Sequence, residues 1–245
     1  MANWVAVDKS MLSRLLYPNP VCLLSVCSPD GSARSVMTIT WLTAINNQGG
    51  FVCSVNASRH TAKFMHSKAI FVLNVPVRGM EELILAIGSS SGADVDKFSQ
   101  LQVATCAPGG GDLTKSSEEQ DSTLTSESTP TPSDLKKRKL SKKELARQEI
   151  AAAARQSVAL RDCVAHLLCR VETVTEDDGH LLLRCSQLAG WSRQAYWDGR
   201  NFIPLEGTDA EPYLTFLGSK VFGYVLPSGN KGPDVASDRI NASTC

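Results

Sequence analysis

The chain lacks a charge bias: Lys+Arg and Asp+Glu both total 25 across 245 residues, so no overall field draws it to nucleic acid or to an anionic membrane. It lacks a long apolar run. `AIFVLNV` and `LILAI` fall far short of the roughly 20 residues that span a bilayer. The opening `MANWVAVDKSMLSRLLY` has no basic segment followed by an apolar core and a small-residue cleavage site, so a secretory signal is not expected there. Its eight cysteines include no CxxC or Cys/His pair at zinc-finger spacing. Most of them lie in or beside apolar, strand-like runs, where cysteine serves as a small hydrophobe, and reduced cytosolic thiols are expected. A dinucleotide fingerprint is missing too: `GGG` at 109–111 has neither a strand before it nor a helix after it. These absences point to a soluble, cytoplasmic protein with no membrane partner and no evident nucleic-acid partner.

What is present is dense in β signals. `VCLLSVC` reads as a buried strand, `SPDGS` as a turn, `ARSVMTITWLTAI` as one longer strand and `GFVCSV` as another. A short helix beginning near Ser58 leads into the strand `AIFVLNVP`, and `EELILAIG…DVDKFSQL` reads as helix broken around `GSSSG`. From about 107 to 132 the chain turns to Gly, Ser, Thr, Pro and acid, which cannot bury enough surface to order itself. A basic, Ala-rich helix follows, so 107–157 is expected to be an insertion of disordered chain and exposed helix. Beyond it `CVAHLLCRVETV`, `HLLLRCSQL` and `QAYWDGRNFIPL` resume the β pattern, and 227–245 reads as a flexible tail. In the first of these strands Cys163, Ala165, Leu167, Cys169 and Val171 alternate with His166, Arg170 and Glu172, as in a sheet wet on one side. Residues 1–106 and 158–226 are therefore expected to form one mainly β domain, an antiparallel barrel with a few short helices.

Polar residues crowd one strand-to-helix junction in `VCSVNASRHTAKFMHSKAIFVLNVP`. Ser54 and Asn56 share a strand face, and in the preceding strand Thr38 and Thr40 do the same, opposite Met37, Ile39 and Trp41. If those strands are adjacent, each offers a pair of short hydrogen-bonding side chains. Ser58 suits the N-cap of the helix whose inner side carries Thr61, Phe64 and Met65. Free N–H groups in that first turn, with Arg59 and the hydroxyls, suit an anion, phosphate above all. The bland alternative is an ordinary cap beside threonines that are simply good β-formers, with His60 a solvated helix residue.

The ordered set of motifs resembles the flavin reductase-like, FMN-binding split-barrel family. Pro20-Val21, Gly31, Met37-Thr38-Ile39-Thr40-Trp41, Ser58-Arg59-His60-Thr61 and Phe71-Val72-Leu73-Asn74-Val75-Pro76 match its pattern in order, and `YLTFLGSKVFGYV` is similar to its closing `hLGG..Y` segment. The resemblance spans 17–225 apart from the insertion. It implies a homodimer of antiparallel split barrels, with FMN in a groove near the subunit interface. The phosphate would lie at Ser58, Arg59, His60 and Thr61, and the isoalloxazine along Thr38, Thr40 and Trp41. Three departures stand out: Asn46-Asn47-Gln48-Gly49-Gly50 where the family often has a Pro-Pro pair, Ser35 at a usual asparagine, and Ser219 at the second glycine of the `LGG`.

The activity implied is transfer of a hydride from NAD(P)H through FMN to a small-molecule acceptor. Such chemistry demands no acid–base dyad, because the cofactor carries the hard step. Trp191, Tyr196 and Trp197 are candidate ring-wall residues. Two other readings stay open, a non-catalytic flavin carrier or sensor and a cofactor-free interaction protein that works through the insertion. `KKRK` at 136–139 could then serve nuclear import, though it reads first as a solvated basic face.

Overall fold

The structure, a computed structural model, describes residues 6–111, 113 and 141–227. The expected tail and the `KKRK` run lie outside the described residues, as does the centre of the expected insertion. The described chain is mainly β and forms a split barrel. Its strands are β1 (Asn19–Pro20), β2 (Cys22–Cys27), β3 (Arg34–Ile39), β4 (Leu42–Ala44), β5 (Gly50–Asn56), β6 (Ile70–Val75), β7 (Thr105–Cys106), β8 (Ala159–Leu160), β9 (Ala165–Asp177), β10 (His180–Ser192), β11 (Tyr213–Gly218) and β12 (Val221–Val225). Helices α1 (Glu81–Ser89), α2 (Lys97–Gln100) and α3 (Lys142–Arg155) and three short 3-10 segments complete it.

Seven strands form one curled antiparallel sheet in the order β3-β2-β6-β9-β10-β5-β4, and β1-β11-β12 make a second, three-stranded sheet. The expected single strand over 33–45 is in fact two, broken at Thr40 and Trp41. β3 and β4 occupy opposite edges of the seven-stranded sheet, so the chain must cross between them at this break. The interior is filled by alternating residues of the curled sheet: Leu24, Phe71, Leu73, Cys169, Val171 and Leu183 are each no more than 2% exposed. The seven described cysteines carry free thiols, and burial pushes that of Cys22 up to about 12.

The outer face of β9 is drier than its sequence suggests. His166 and Leu168 are both buried there, because β7, β8 and the inner side of α3 cover them with Cys106, Ala159, Ile150 and Ala154. α3 starts at a capping box on Ser141 and Glu144, and its basic side faces solvent. Both ends of the insertion are pinned to the barrel by buried polar groups. Asn74 donates to the Leu23 carbonyl and to Ser25 Oγ, and its Oδ1 accepts from the Leu160 N–H. His166 Nδ1 accepts from the Gly109 N–H at 3.1 Å, which leaves Nε2 to donate to the Leu160 carbonyl at 2.9 Å. Burial holds its pKa below the usual histidine value. `QAYWDGRNFIPL`, expected to extend the β pattern, instead forms a 3-10 turn over Gln194–Tyr196 and a loop held by a bridge between Trp197 and Phe202 and by N–H bonds from Ile203 and Leu205 to the Tyr196 and Ala195 carbonyls.

Candidate functional site

A cavity of about 580 Å³ opens where β3, α1, the turn after β5 and the β11–β12 hairpin meet. The turn comes first in the argument. Asn56 ends β5, and its Oδ1 accepts from both the N–H and the hydroxyl of Ser58, at 2.9 and 2.6 Å. This side-chain turn replaces the Ser58 cap that the sequence suggested. The helix proves to be a 3-10 segment over His60–Phe64 with Arg59 at its cap position and no side-chain cap bond. The Arg59 N–H bonds the Asn56 carbonyl, and the Ala62 N–H bonds the Arg59 carbonyl. Among the described residues, the N–H groups of His60 and Thr61 between them find no acceptor. Such a pair of free donors is ready for an anion.

The walls around this turn hold it firmly. Thr61 and Ser35 are 2% and 3% exposed, and their hydroxyls share a 2.9 Å hydrogen bond. Gly92, in the loop after α1, passes so near that a Cβ there would lie 2.9 Å from His60 Cδ2 and 3.2 Å from Ser35 Oγ. His60 packs edge-on against Phe64, and its Nδ1 is buried without a hydrogen-bond partner. A buried polar atom without a partner calls for one, and a ligand or a water at this wall would supply it.

Charge completes the site. Arg59, Lys97 and Lys220 all line the cavity, with the hydroxyls of Ser58, Thr40, Ser89 and Ser91, and among the described residues no carboxylate lines it. Lys97 is only 6% exposed and donates to the Ile87 carbonyl at 2.6 Å. Burial lowers its pKa, and the nearby Arg59 guanidinium lowers it further. A cation in such a position is strained until an anion joins it. Away from this pole the wall is apolar, made by Met37, Ile84, Leu85, Phe216 and Phe222.

The nine residues singled out in the sequence divide between two faces. Thr38, Thr40, Ser58, Arg59, His60 and Thr61 line this cavity. The Thr38 hydroxyl donates to the Ile84 carbonyl at 2.8 Å and so ties α1 to β3. Asn56 shapes the turn from behind. Trp41 and Ser54 line a different depression, on the outer face of β5 and β10, where Trp41 Nε1 lies 3.3 Å from the Tyr17 hydroxyl. β3 and β5 are not neighbours in the sheet, so Thr38 and Ser54 do not form one polar patch. Of the suggested ring-wall aromatics, Tyr196 is core and Trp191 and Trp197 border a third cavity at the barrel mouth. Lys97, Lys220, Gly92 and the two phenylalanines were not legible. Lys97 sits beside Phe98 on a four-residue helix, and only the Asp96 cap before it marks the place.

Residues 12–109 match the family model described as the flavin reductase like domain. No curated protein matches the chain. Among solved structures, it is similar to a flavoredoxin from Methanosarcina acetivorans, at 16% identity and TM-score 0.58 over 97% of this chain and 98% of that one. It is also similar to an FMN-binding protein from Thermus thermophilus, at 16% identity and TM-score 0.57 over 92% and 97%. A third is an NADH:FAD oxidoreductase from Streptomyces globisporus, at 14% identity and TM-score 0.57 over 93% and 99%. The resemblance read from the motifs is borne out by the family-model match over 12–109, and the fold is the split barrel of these flavin reductase-like structures.

Proposed function

We propose that the protein is an FMN-dependent oxidoreductase that passes a hydride from NAD(P)H to a small-molecule acceptor. The observation that carries this reading is the cavity in which Arg59 and Lys97 meet the free N–H groups of His60 and Thr61, with no carboxylate among the described residues that line it. These groups suit a phosphate monoester, and the apolar wall beyond them suits a flat ring. A phosphate alone does not suffice. Micromolar binding needs about 8 kcal/mol, and two or three charge-assisted bonds at roughly 1.5–3 kcal/mol each leave little after association costs. Burial of a ring against Phe216, Phe222 and Met37 supplies the remainder.

Bound FMN would supply the hydride and electron transfer, chemistry that the side chains here do not supply. The chain's own residues would hold the phosphate at Arg59, Lys97 and the His60–Thr61 turn, seat the ring beside Thr38 and Thr40, and keep water from one face. A homodimer accompanies this reading. Leu15, Leu16, Trp41, Val52 and Leu182 are all at least 37% exposed around the outer depression, and such a grouping of exposed apolar side chains suits a subunit interface. Trp41→Glu with Leu182→Glu should halve the mass seen by sedimentation, and an unchanged mass would rule out this face. The test of function is anaerobic mixing of FMN-loaded protein with NADH or NADPH. Bleaching of the flavin band within seconds supports the oxidoreductase; bound flavin that stays oxidised with both donors makes the protein a carrier.

A further inference from the structure

His166 on β9 holds the two roots of the insertion by opposite chemistry. The ring is 6% exposed; its Nδ1 accepts from the Gly109 N–H and its Nε2 donates to the Leu160 carbonyl. Only the neutral ring with its proton on Nε2 does both, because Nδ1 must keep its lone pair. A protonated ring is a donor at both nitrogens. Leu160 can keep such a ring as a partner, whereas Gly109 would face it donor to donor. The two roots also differ in what else holds them. The Leu160 N–H is bound by Asn74 Oδ1 at 2.8 Å, and Ala159 and Leu160 pair with Cys106 and Thr105. Past Cys106, the backbone–backbone bonds of the turn at 107–111 are internal among the described residues: Ala107 N–H to the Gly111 carbonyl and Gly110 N–H to the Ala107 carbonyl. The turn also leans on Trp191, so near that a Cβ on Gly109 would lie 2.8 Å from its Cδ1 and 3.0 Å from its Nε1.

We propose that His166 is a proton-operated latch: protonation of Nδ1 releases the turn at 107–111 from the barrel and from Trp191, while the other root of the insertion stays bound at Leu160. His166 and Trp191 both line the cavity of about 950 Å³ at the barrel mouth, so the released turn also frees one wall of that cavity. The surroundings keep the latch closed at neutral pH. Burial disfavours the charged ring, the bond to the Leu160 carbonyl works the other way, and the Arg193 guanidinium opposes a second positive charge. Arg193 follows β10 and is held by the Arg161 carbonyl at 2.7 Å. The other titratable groups on the covering elements are Cys106 on β7 and Arg161, Asp162 and Cys163 after β8. β6 places Asn74 opposite His166, and α3 packs against this face with Ile150, Ala153 and Ala154. The ring of the released state titrates near the ordinary 6.5 and that of the latched state below it. Below pH 6.5 the population of the released turn therefore rises about tenfold per pH unit, until the latched ring itself titrates.

The test is amide hydrogen exchange of the full-length protein between pH 7.5 and 5.5, read by mass spectrometry and corrected for the intrinsic pH dependence of exchange. Protection of the amides at 107–111 should fall by up to about tenfold over this range. Protection of Leu160, and of β6 and β10 in the core, should not follow it. In His166→Gln, which cannot take up the proton, protection at 107–111 should be the same at both ends of the range. Protection that stays constant with pH in the wild type overturns the inference, and so does a decline that persists in His166→Gln. A decline shared by β6 and β10 also overturns it, because the proton then opens the whole barrel. Circular dichroism checks that the variant folds. Should it not fold, nuclear magnetic resonance of the wild type decides: the His166 ring and the Gly109 amide must change over the same pH range, and separate midpoints refute the latch.

Discussion

Replacing Lys97 with Met should move binding and stability in different directions. In the ligand-free protein, Lys97 is a nearly buried ammonium with one carbonyl acceptor, that of Ile87 in the last turn of α1. Methionine keeps the length and apolar stem while removing the charge. The Ile87 carbonyl then loses a partner, worth about 1 kcal/mol, but the penalty for burying an ammonium disappears and is of similar or larger size. The apo fold should therefore be unchanged or up to about 1 kcal/mol more stable. The ligand, in contrast, loses a charge-assisted hydrogen bond of about 1.5–3 kcal/mol, so FMN should bind roughly 10- to 100-fold more weakly. Urea denaturation of the apo protein and fluorescence titration with FMN measure the two quantities separately. If Lys97→Met weakens the fold by as much as it weakens binding, Lys97 is a structural residue. If FMN affinity is unchanged, the phosphate does not sit at this pole.

Arg59→Ala should weaken FMN at least tenfold with little change in melting temperature, since the side chain is exposed and makes no hydrogen bond or ion pair among the described residues; equal affinity would remove Arg59 from the site. Gly92→Ala forces a methyl group to within 2.9 Å of His60 and 3.2 Å of Ser35. The loop must retreat, so FMN affinity should fall several-fold while core stability falls by less than about 1 kcal/mol, as read by the same two assays. His166 sets a pH dependence. Its folded pKa is lowered by burial, so its contribution is complete above the ordinary value of 6.5 and is lost as pH falls through the lowered folded value. Denaturation midpoints between pH 7.5 and 5 should decline in the wild type and flatten in His166→Gln. Parallel curves would show that another group controls the decline.

Much of the fold could be read from apolar patterning. β5 and the first half of β9 sit where alternation put them, and β2 and β6 where continuous apolar runs put them, because one face of each fills the barrel interior and β2 and β6 are covered on the other face as well. The break between β3 and β4 was hidden, since `TITWLTA` continues the β pattern through the crossover and nothing local marks the change of sheet edge. The dry outer face at His166 and Leu168 could not be foreseen either. α3, β7 and β8 cover it, and their return to the barrel depends on Asn74 and His166 bonds between residues far apart in sequence. The anion-ready turn was visible because its residues are consecutive. Lys97 and Lys220 come from 36 and 159 residues beyond Thr61, and only the folded chain brings their charges to the same cavity.

The central claim is that this cavity holds FMN through Arg59, Lys97 and the turn at His60 and Thr61. Its most direct test is titration of the purified protein with FMN, followed by visible absorption and by equilibrium dialysis. The account predicts saturable binding of one FMN per chain, micromolar or tighter, weakened when inorganic phosphate is added as a competitor. A protein that remains colourless after dialysis against excess FMN, while still showing the folded β spectrum, would contradict it.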